Sequence, residues 1–499
     1  MPYVLAIDQG TSSSRAVVFD ADGREVAAAQ HAVEAVFPAD GWVEQEPETL
    51  WNSVLAVGRE AIAESRVAPE QIAAIGIVNQ RETTLAWDAR TGDALGNAIV
   101  WQDRRTAEEC QRIRDEGVEP EIAAITGLLV DPYFSSTKLK WLLEERDLEV
   151  AAARGDVRFG TVDSFLVWRL TKGARHATDA TNAARTQLFD IGQQTWSDRL
   201  LDYFGIAPSV LPTVLDCVDD YGVADAEWFG AAIPIRGVAG DQQAALLGQG
   251  CLEPGMVKST YGTGCFVIAN TGTEQVRSSQ RLLTTVGYRV GGTTTYALEG
   301  SIFNAGVAIK WLRDTLRLIE SAADTELAAR RIAGDTGGVF VVPAFTGLGA
   351  PHWRPDARGL ITGLTLDSNP DHIATATLKA IGFQTADLLA AVAADGVAAT
   401  ELRVDGGMAV NDWFCQFLAD VAGMNVVRPA SIETTVLGAG LLAAVGAGLH
   451  GDVRAGSRAW GAAPASVEGV PGRRFTPAVD AEHRADWLRD WRRAVARAL

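Results

Sequence analysis

The chain has 499 residues, 47% hydrophobic and 21% charged, which excludes a disordered protein and is long enough for two large domains. Its net charge of -19, with no basic tail, excludes a nucleic-acid binder and opposes attachment to anionic lipid. Five cysteines without a CxxC, six histidines without an HExxH, and no signal-like apolar start exclude a disulfide frame and the common zinc patterns, and predict a cytoplasmic protein.

Tyr3-Val4-Leu5-Ala6-Ile7 reads as a buried strand, Asp8-Gln9-Gly10-Thr11-Ser12-Ser13-Ser14 as a turn, and Arg15-Ala16-Val17-Val18-Phe19-Asp20 as a returning strand. Asp22-Gly23 makes a second hairpin turn. An amphipathic helix is predicted over 47–63 and a core strand over 72–78. Hairpins mixed with helix-separated strands predict an α/β fold with mixed sheets. The segment 248–255 is dense in turn residues and divides the chain into domains 1–250 and 251–499. The second half then begins as the first does. Met256-Val257-Lys258-Ser259-Thr260 reads as a strand, Tyr261-Gly262-Thr263-Gly264 as a turn, and Cys265-Phe266-Val267-Ile268 as a strand. The repeat predicts two related domains facing each other. A long helix is predicted over 370–394, and Leu402-Arg403-Val404 leads into the turn Asp405-Gly406-Gly407. The apolar, Gly-rich stretch 436–449 is shorter than the ~20 residues of a membrane span.

Glycine turns between strands let backbone N–H groups approach phosphate oxygens, because no Cβ intrudes. Gln9-Gly10-Thr11 and Gly262-Thr263-Gly264 have that form, although each is also an ordinary hairpin turn; the GxxxxGK[ST] pattern is absent. Asp8 can help hold hydrated Mg²⁺ or cap the turn. Arg15 can donate to phosphate or lie exposed on its strand. Gly407 and the pair Gly438 and Gly440 make room for a flat base or serve ordinary loops. Asn411 contacts a nucleotide or caps the next helix. In Asn79-Gln80-Arg81-Glu82-Thr83-Thr84 a core strand runs into six polar residues. Arg81 donates and Glu82 accepts, which suits vicinal hydroxyls, and the alternative is a surface ion pair. Trp101 and Tyr133 either pack on a carbon chain or belong to the core. Asp241, in Gly240-Asp241-Gln242-Gln243, is a helix N-cap or a base that takes a proton from an alcohol; both can hold. A lone carboxylate beside phosphate turns points to a kinase. Because ATP is an anion, its site in so acidic a chain needs local donors and a metal ion.

These runs, with Trp101-Gln102, Asp131-Pro132-Tyr133-Phe134-Ser135, Tyr261-Gly262-Thr263-Gly264-Cys265-Phe266 and the stretch from Pro343 to Pro351, occur in order from about residue 3 to beyond 445. They resemble the FGGY carbohydrate kinases, and the Asn-Gln-Arg-Glu-Thr and Gly-Asp-Gln-Gln runs resemble the members that act on glycerol rather than xylulose or gluconate. The resemblance implies two actin-like ATPase domains, each built on a ribonuclease-H-like core, with the site in the cleft between them. It implies that ATP and glycerol give ADP and glycerol 3-phosphate. Arg81, Glu82, Tyr133, Asp241 and Gln242 would bind hydroxyls, Trp101 and Phe266 would face the carbon chain, and Asp241 would be the general base. Thr11, Ser12, Ser13, Arg15, Thr263, Gly306, Gly407 and Asn411 would contact ATP, and Asp8 would orient Mg²⁺. A homodimer or homotetramer is the family expectation. Lys310 stands where the family pattern has a Gln near the nucleotide. No His lies between His176 and His352, so activation by His phosphorylation is not expected. The segment from Ala226 to Ala232 lacks the basic character of a fructose 1,6-bisphosphate loop, so weak or no inhibition by that ligand is expected. Other readings are a different FGGY polyol or ketose kinase, or a non-catalytic actin-like binding protein.

Overall fold

The computed structural model describes residues 2–354, 356–429, 433–461 and 472–499. Its centre is two mixed sheets. The first runs, edge to edge, Val223–Ala224, Ile233–Gly240, Ile72–Asn79, Tyr3–Gln9, Ser13–Asp20, Glu25–Ala32. The second runs Leu283–Val290, Thr293–Ile302, Cys265–Gly272, Met256–Tyr261, Glu401–Asp405, Val426–Arg428, Arg473–Phe475. In both, the opening strand has an antiparallel hairpin partner on one side and a parallel strand on the other. The repeat of strand, Gly-Thr turn and strand is therefore a repeat of topology.

Strands buried on both faces need continuous apolar side chains. Val4 through Ile7 are fully buried, and two helices supply the covers. Pro47–Ser65, two residues longer than expected, covers one face through Leu50, Val54 and Val57. The other face is covered by Thr434–Gly446, the Gly-rich stretch from the far end of the chain, with Val436, Ala439 and Leu442 against Val4, Ala6 and Ala74. Gly438 lies within this helix and not in a loop. A Cβ there would stand 2.0 Å from the Ala244 carbonyl oxygen, so it lets this helix touch Asp241–Gly248 backbone to backbone. Gly440 likewise faces the Phe19 and Trp460 rings. The second sheet is covered by Pro370–Ala394, capped by Asn369 with proline at the first turn, which buries Leu378, Ile381, Leu388 and Val392. All five cysteines are buried free thiols. No helix among the described residues is long and apolar enough to cross a membrane.

Parallel register aligns the ends of the strands that carry the motifs. Gln9 pairs with Asn79, and Asn79 with Gly240. The Asp8 turn, the Gln80-Arg81-Glu82 loop and Asp241 therefore leave the first sheet side by side, beyond strand carboxyl ends where open α/β sheets bind ligands. In the second sheet Thr260 pairs with Asp405, which places the Gly262 turn beside the Asp405-Gly406-Gly407 turn.

Candidate active site

The helix beginning at Asp241 has Gly240 as its N-cap, so Asp241 is its first residue and not the cap. Its Oδ1 accepts from its neighbour's backbone, Gln242 N at 2.7 Å, and Oδ2 from Gln242 Nε2 at 3.2 Å. Arg81 Nε lies 3.3 Å from the same carboxylate. The Asp241 side chain is 27% exposed, against 2% for Arg81. It is thus a carboxylate fixed from behind and open in front.

Arg81 and Glu82 are not a surface pair. Both are buried in a ring of charges completed by Arg185 and Glu299. Arg81 gives Nη1 to Glu299 Oε2 at 2.6 Å and Nη2 to Oε1 at 2.9 Å. Its Nη2 also reaches the Tyr133 hydroxyl at 3.2 Å, and its Nη1 reaches Gln243 Oε1 at 3.3 Å. Arg185 donates Nε to Glu82 Oε1 at 2.6 Å and Nη2 to Glu299 Oε1 at 3.0 Å. Buried charges persist when paired in this way, and removing one member leaves another uncompensated. Burial pushes the Glu82 carboxyl up against the pull of Arg81 and Arg185. Glu82 also has φ of +36°, a region costly to a side chain with a Cβ. Its carbonyl is held by the Thr84 and Ser135 hydroxyls at 3.0 and 3.1 Å.

An aromatic wall stands beside the ring. Trp101 is edge-on to Tyr133 at 5.6 Å and to Phe266 at 6.1 Å, and Phe266 lies 5.9 Å from the Arg81 guanidinium. Phe266 comes from the second sheet, so the two sheets meet here. Trp101 Nε1 donates to Thr11 Oγ1 at 2.8 Å, joining the wall to the first Gly-Thr turn. In that turn Gly10 N bonds Ser13 O at 2.9 Å, Ser12 O accepts from Val33 N at 2.9 Å, and Ser13 Oγ accepts from Gln30 Nε2 at 3.0 Å.

Asp8 is half-buried on its strand. Burial first, then the negative charges of Asp241 and Glu433, push its carboxyl up to about 8, with Arg15 opposing. Arg15 also pairs with Glu433 at 3.0 Å. On the facing side the Gly262 turn is locked to the next helix: Gly306 N donates to Gly262 O at 3.0 Å and Val307 N to Thr263 O at 3.1 Å. A Cβ on Gly306 would fall 2.4 Å from Gly262 O. Lys310 is exposed at the end of that helix, Gly306–Lys310. Gly407 has open space where a Cβ would be. The Asn411 side chain caps the Asp412–Ala422 helix through Phe414 N at 2.9 Å, and its Nδ2 lies 3.3 Å from Thr325 Oγ1.

The structure adds Arg185, Glu299 and Lys258 to the residues the sequence singles out. Lys258, fully buried in the Met256–Tyr261 strand, donates to Gln242 Oε1 and to Thr260 Oγ1, the latter at 2.7 Å, and burial lowers its pKa. The signal available for Lys258 and Glu299 was a lone charge within a strand pattern, as in Tyr296-Ala297-Leu298-Glu299-Gly300, whereas Arg185, in Asn182-Ala183-Ala184-Arg185-Thr186-Gln187, carries none. A charge there must be paired in the fold, but the pattern does not say with what.

Two mixed sheets that share a core, each with a Gly-Thr hairpin beside a parallel strand, define an actin-like, ribonuclease-H-like ATPase fold. The family description for the N-terminal domain of the FGGY carbohydrate kinases matches residues 3–248, and that for the C-terminal domain matches 257–447. The chain belongs to the FGGY family of carbohydrate kinases. It is 54% identical to a glycerol kinase of Alcanivorax borkumensis over 100% of this chain and 98% of that protein. It is 55% identical to a glycerol kinase of Ectopseudomonas mendocina over 99% and 98%. A crystal structure of Plasmodium falciparum glycerol kinase with ADP superposes with a TM-score of 0.91 at 33% identity, covering 100% of this chain and 98% of that one.

Proposed function

We infer that this chain transfers the terminal phosphoryl group of ATP to glycerol, giving ADP and sn-glycerol 3-phosphate, the first step of glycerol catabolism. The observation that carries the mechanism is Asp241: a carboxylate held by Arg81 and its own helix, yet 27% exposed. In this reading Asp241 takes the proton of a terminal hydroxyl as that oxygen attacks the γ-phosphorus and the bond to ADP breaks. Arg81, Glu82, Tyr133 and Gln242 bind the hydroxyls, and Trp101 and Phe266 enclose the carbon chain. Enclosure excludes water, which would otherwise accept the phosphoryl group. Residues 1–250 supply most of the polyol site and one phosphate turn, and 251–499 the nucleotide side. There Thr263, Gly306, Lys310, Gly407 and Asn411 would contact ATP, together with Thr11, Ser12, Ser13 and Arg15 of the first half.

Asp8 fits a role beside Mg²⁺. Its oxygen donors are hard, and neighbouring carboxylates make its own charge costly without a cation. No group of three or more metal-ligating side chains exists among the described residues. That suits an ion held by one carboxylate, phosphate oxygens and water, which would neutralise charge on the phosphates. The enzyme is expected in the cytoplasm as a homodimer or homotetramer, which light scattering would check.

A substrate panel tests the reading. With ATP and Mg²⁺, kcat/KM for glycerol should exceed that for xylulose or gluconate by about 10² or more, since two or three extra carbons overfill an enclosure that fits three and gluconate brings a carboxylate beside Glu82 and Asp241. A preference for a pentulose would overturn it.

A further inference from the structure

Four of the charged groups around the polyol residues belong to the first half of the chain: Arg81, Glu82, Arg185 and Asp241. Glu299 does not. It sits fully buried in the Thr293–Ile302 strand of the second sheet, with apolar neighbours Ala297 and Leu298. Both its oxygens take the Arg81 fork, at 2.6 and 2.9 Å. A two-point pair of this kind fixes the plane of a guanidinium as well as its position. With both Nη atoms so held, Arg81 turns Nε toward Asp241 at 3.3 Å and shares Nη2 with the Tyr133 hydroxyl at 3.2 Å. The same Glu299 Oε1 holds Arg185 at 3.0 Å, and Arg185 in turn holds Glu82 at 2.6 Å. Burial opposes the charge on Glu299, but Arg185 and Arg81 outweigh it and bring the carboxyl down to about 2. It is therefore anionic at any working pH.

We propose that Glu299 is a positioning residue for the polyol: through two-point contact with Arg81, and through Arg185 with Glu82, it aligns the hydroxyl-reading groups, so that the polyol site is complete only when the second sheet is docked on the first half. The proposal rests on the reading of Arg81 and Glu82 as polyol-binding. It assigns substrate affinity to a carboxylate that touches no substrate and comes from the opposite side of the molecule. The nucleotide-facing turns share no hydrogen bond with Glu299, so the effect should fall on one substrate only.

The test is steady-state kinetics of Glu299→Gln, Glu299→Asp and Arg81→Lys, with melting temperature measured in parallel. Glu299→Gln should raise KM for glycerol about tenfold or more and lower kcat several-fold, because Arg81 also steadies Asp241, while leaving KM for ATP within about twofold. Glu299→Asp keeps the charge and should recover part of the glycerol affinity; if the Gln variant does not fold, the Asp variant alone should still show a raised glycerol KM with ATP unaffected. A role in stability alone would lower the melting temperature and the active fraction while leaving both KM values unchanged, which would overturn the proposal. If Arg81→Lys raises the glycerol KM and Glu299→Gln does not, the positioning role is wrong and the polyol site stands. If neither changes it, the polyol reading fails first and the proposal falls with it.

Discussion

A carboxylate can take a proton from an alcohol only if something holds it where the alcohol arrives. At Asp241 the holding is done by the Gln242 backbone N–H and by Arg81, itself held by Glu299. The neighbouring contacts are sharp enough to test singly. Tyr133→Phe removes the hydroxyl 3.2 Å from Arg81 Nη2 and keeps the ring beside Trp101. Arg81 Nη2 keeps its bond to Glu299 Oε1 at 2.9 Å, so the melting temperature should be nearly unchanged, while loss of one hydrogen bond to the polyol, worth about 0.5–1.5 kcal/mol, should lower kcat/KM for glycerol about three- to tenfold. An unchanged kcat/KM would remove Tyr133 from the site. The sequence made Asp241, Arg81 and Glu82 legible because each follows an apolar strand at a point where polar residues suddenly cluster. It left Arg185 and Glu299 unread, because Arg185 stands among small and polar residues, Glu299 is a single charge beside apolar ones, and the partner of each lies 103 or more positions away. The Gly438 and Gly440 pair was legible as a feature and ambiguous in purpose, since small residues serve a close helix contact as readily as a ligand.

At the scale of elements, register does the assembling. The parallel pairing of Gln9 with Asn79 and of Asn79 with Gly240 brings three motifs that lie far apart in the chain to one level. This was readable in outline, since each motif follows a strand, but strand order was not, because parallel neighbours share no turn. The cover on the outer face of that sheet was also hidden: nothing in Thr434–Gly446 says that it packs on the first sheet and not the second. Its contact with Asp241–Gly248 leaves no room for a methyl group. Gly438→Ala, with a Cβ 2.0 Å from Ala244 O, should destabilise the protein by about 1–3 kcal/mol as an overpacked contact. It should also disturb the helix that carries Asp241, so that kcat falls along with the denaturant midpoint. A variant as stable and as active as the parent would show that these helices separate freely.

The molecule as a whole carries a net charge of -19 around a site that must receive another anion. Arg15, Lys258 and exposed Lys310 are cations on or near the side assigned to the nucleotide, and the acidic surface elsewhere serves solubility. Acid stability depends on a different group. His176 sits against Trp87, its Nε2 2.8 Å from the Phe159 carbonyl, and burial, aided by Arg158, lowers its pKa to about 4. A histidine so depressed is neutral in the fold and protonates on unfolding near the usual value of about 6.5. Unfolding therefore takes up a proton between about pH 6.5 and 4, and stability is lost as pH falls through that window, by about 3 kcal/mol at its end. Asp8 and Asp163, whose carboxyls burial pushes up, act in the opposite direction over this range, so the readout is a difference: the melting temperature of the parent relative to His176→Gln should fall between pH 7 and 5. An identical slope in the variant would locate the acid sensitivity elsewhere. Burial of this kind is invisible in sequence, where His176 stands among polar residues.

Phosphoryl transfer to glycerol depends most on Asp241 acting as the base. Asp241→Asn keeps the size and the contact with Gln242 while removing the proton acceptor, so the direct measurement is glycerol-dependent ADP production by this variant at saturating ATP, with glycerol binding followed separately by tryptophan fluorescence. With Asp241 as the base, kcat should fall by about 10²–10⁴, the usual contribution of a positioned base, with the glycerol Kd within a few-fold of the parent. A variant that binds glycerol normally and keeps most of its turnover would contradict it.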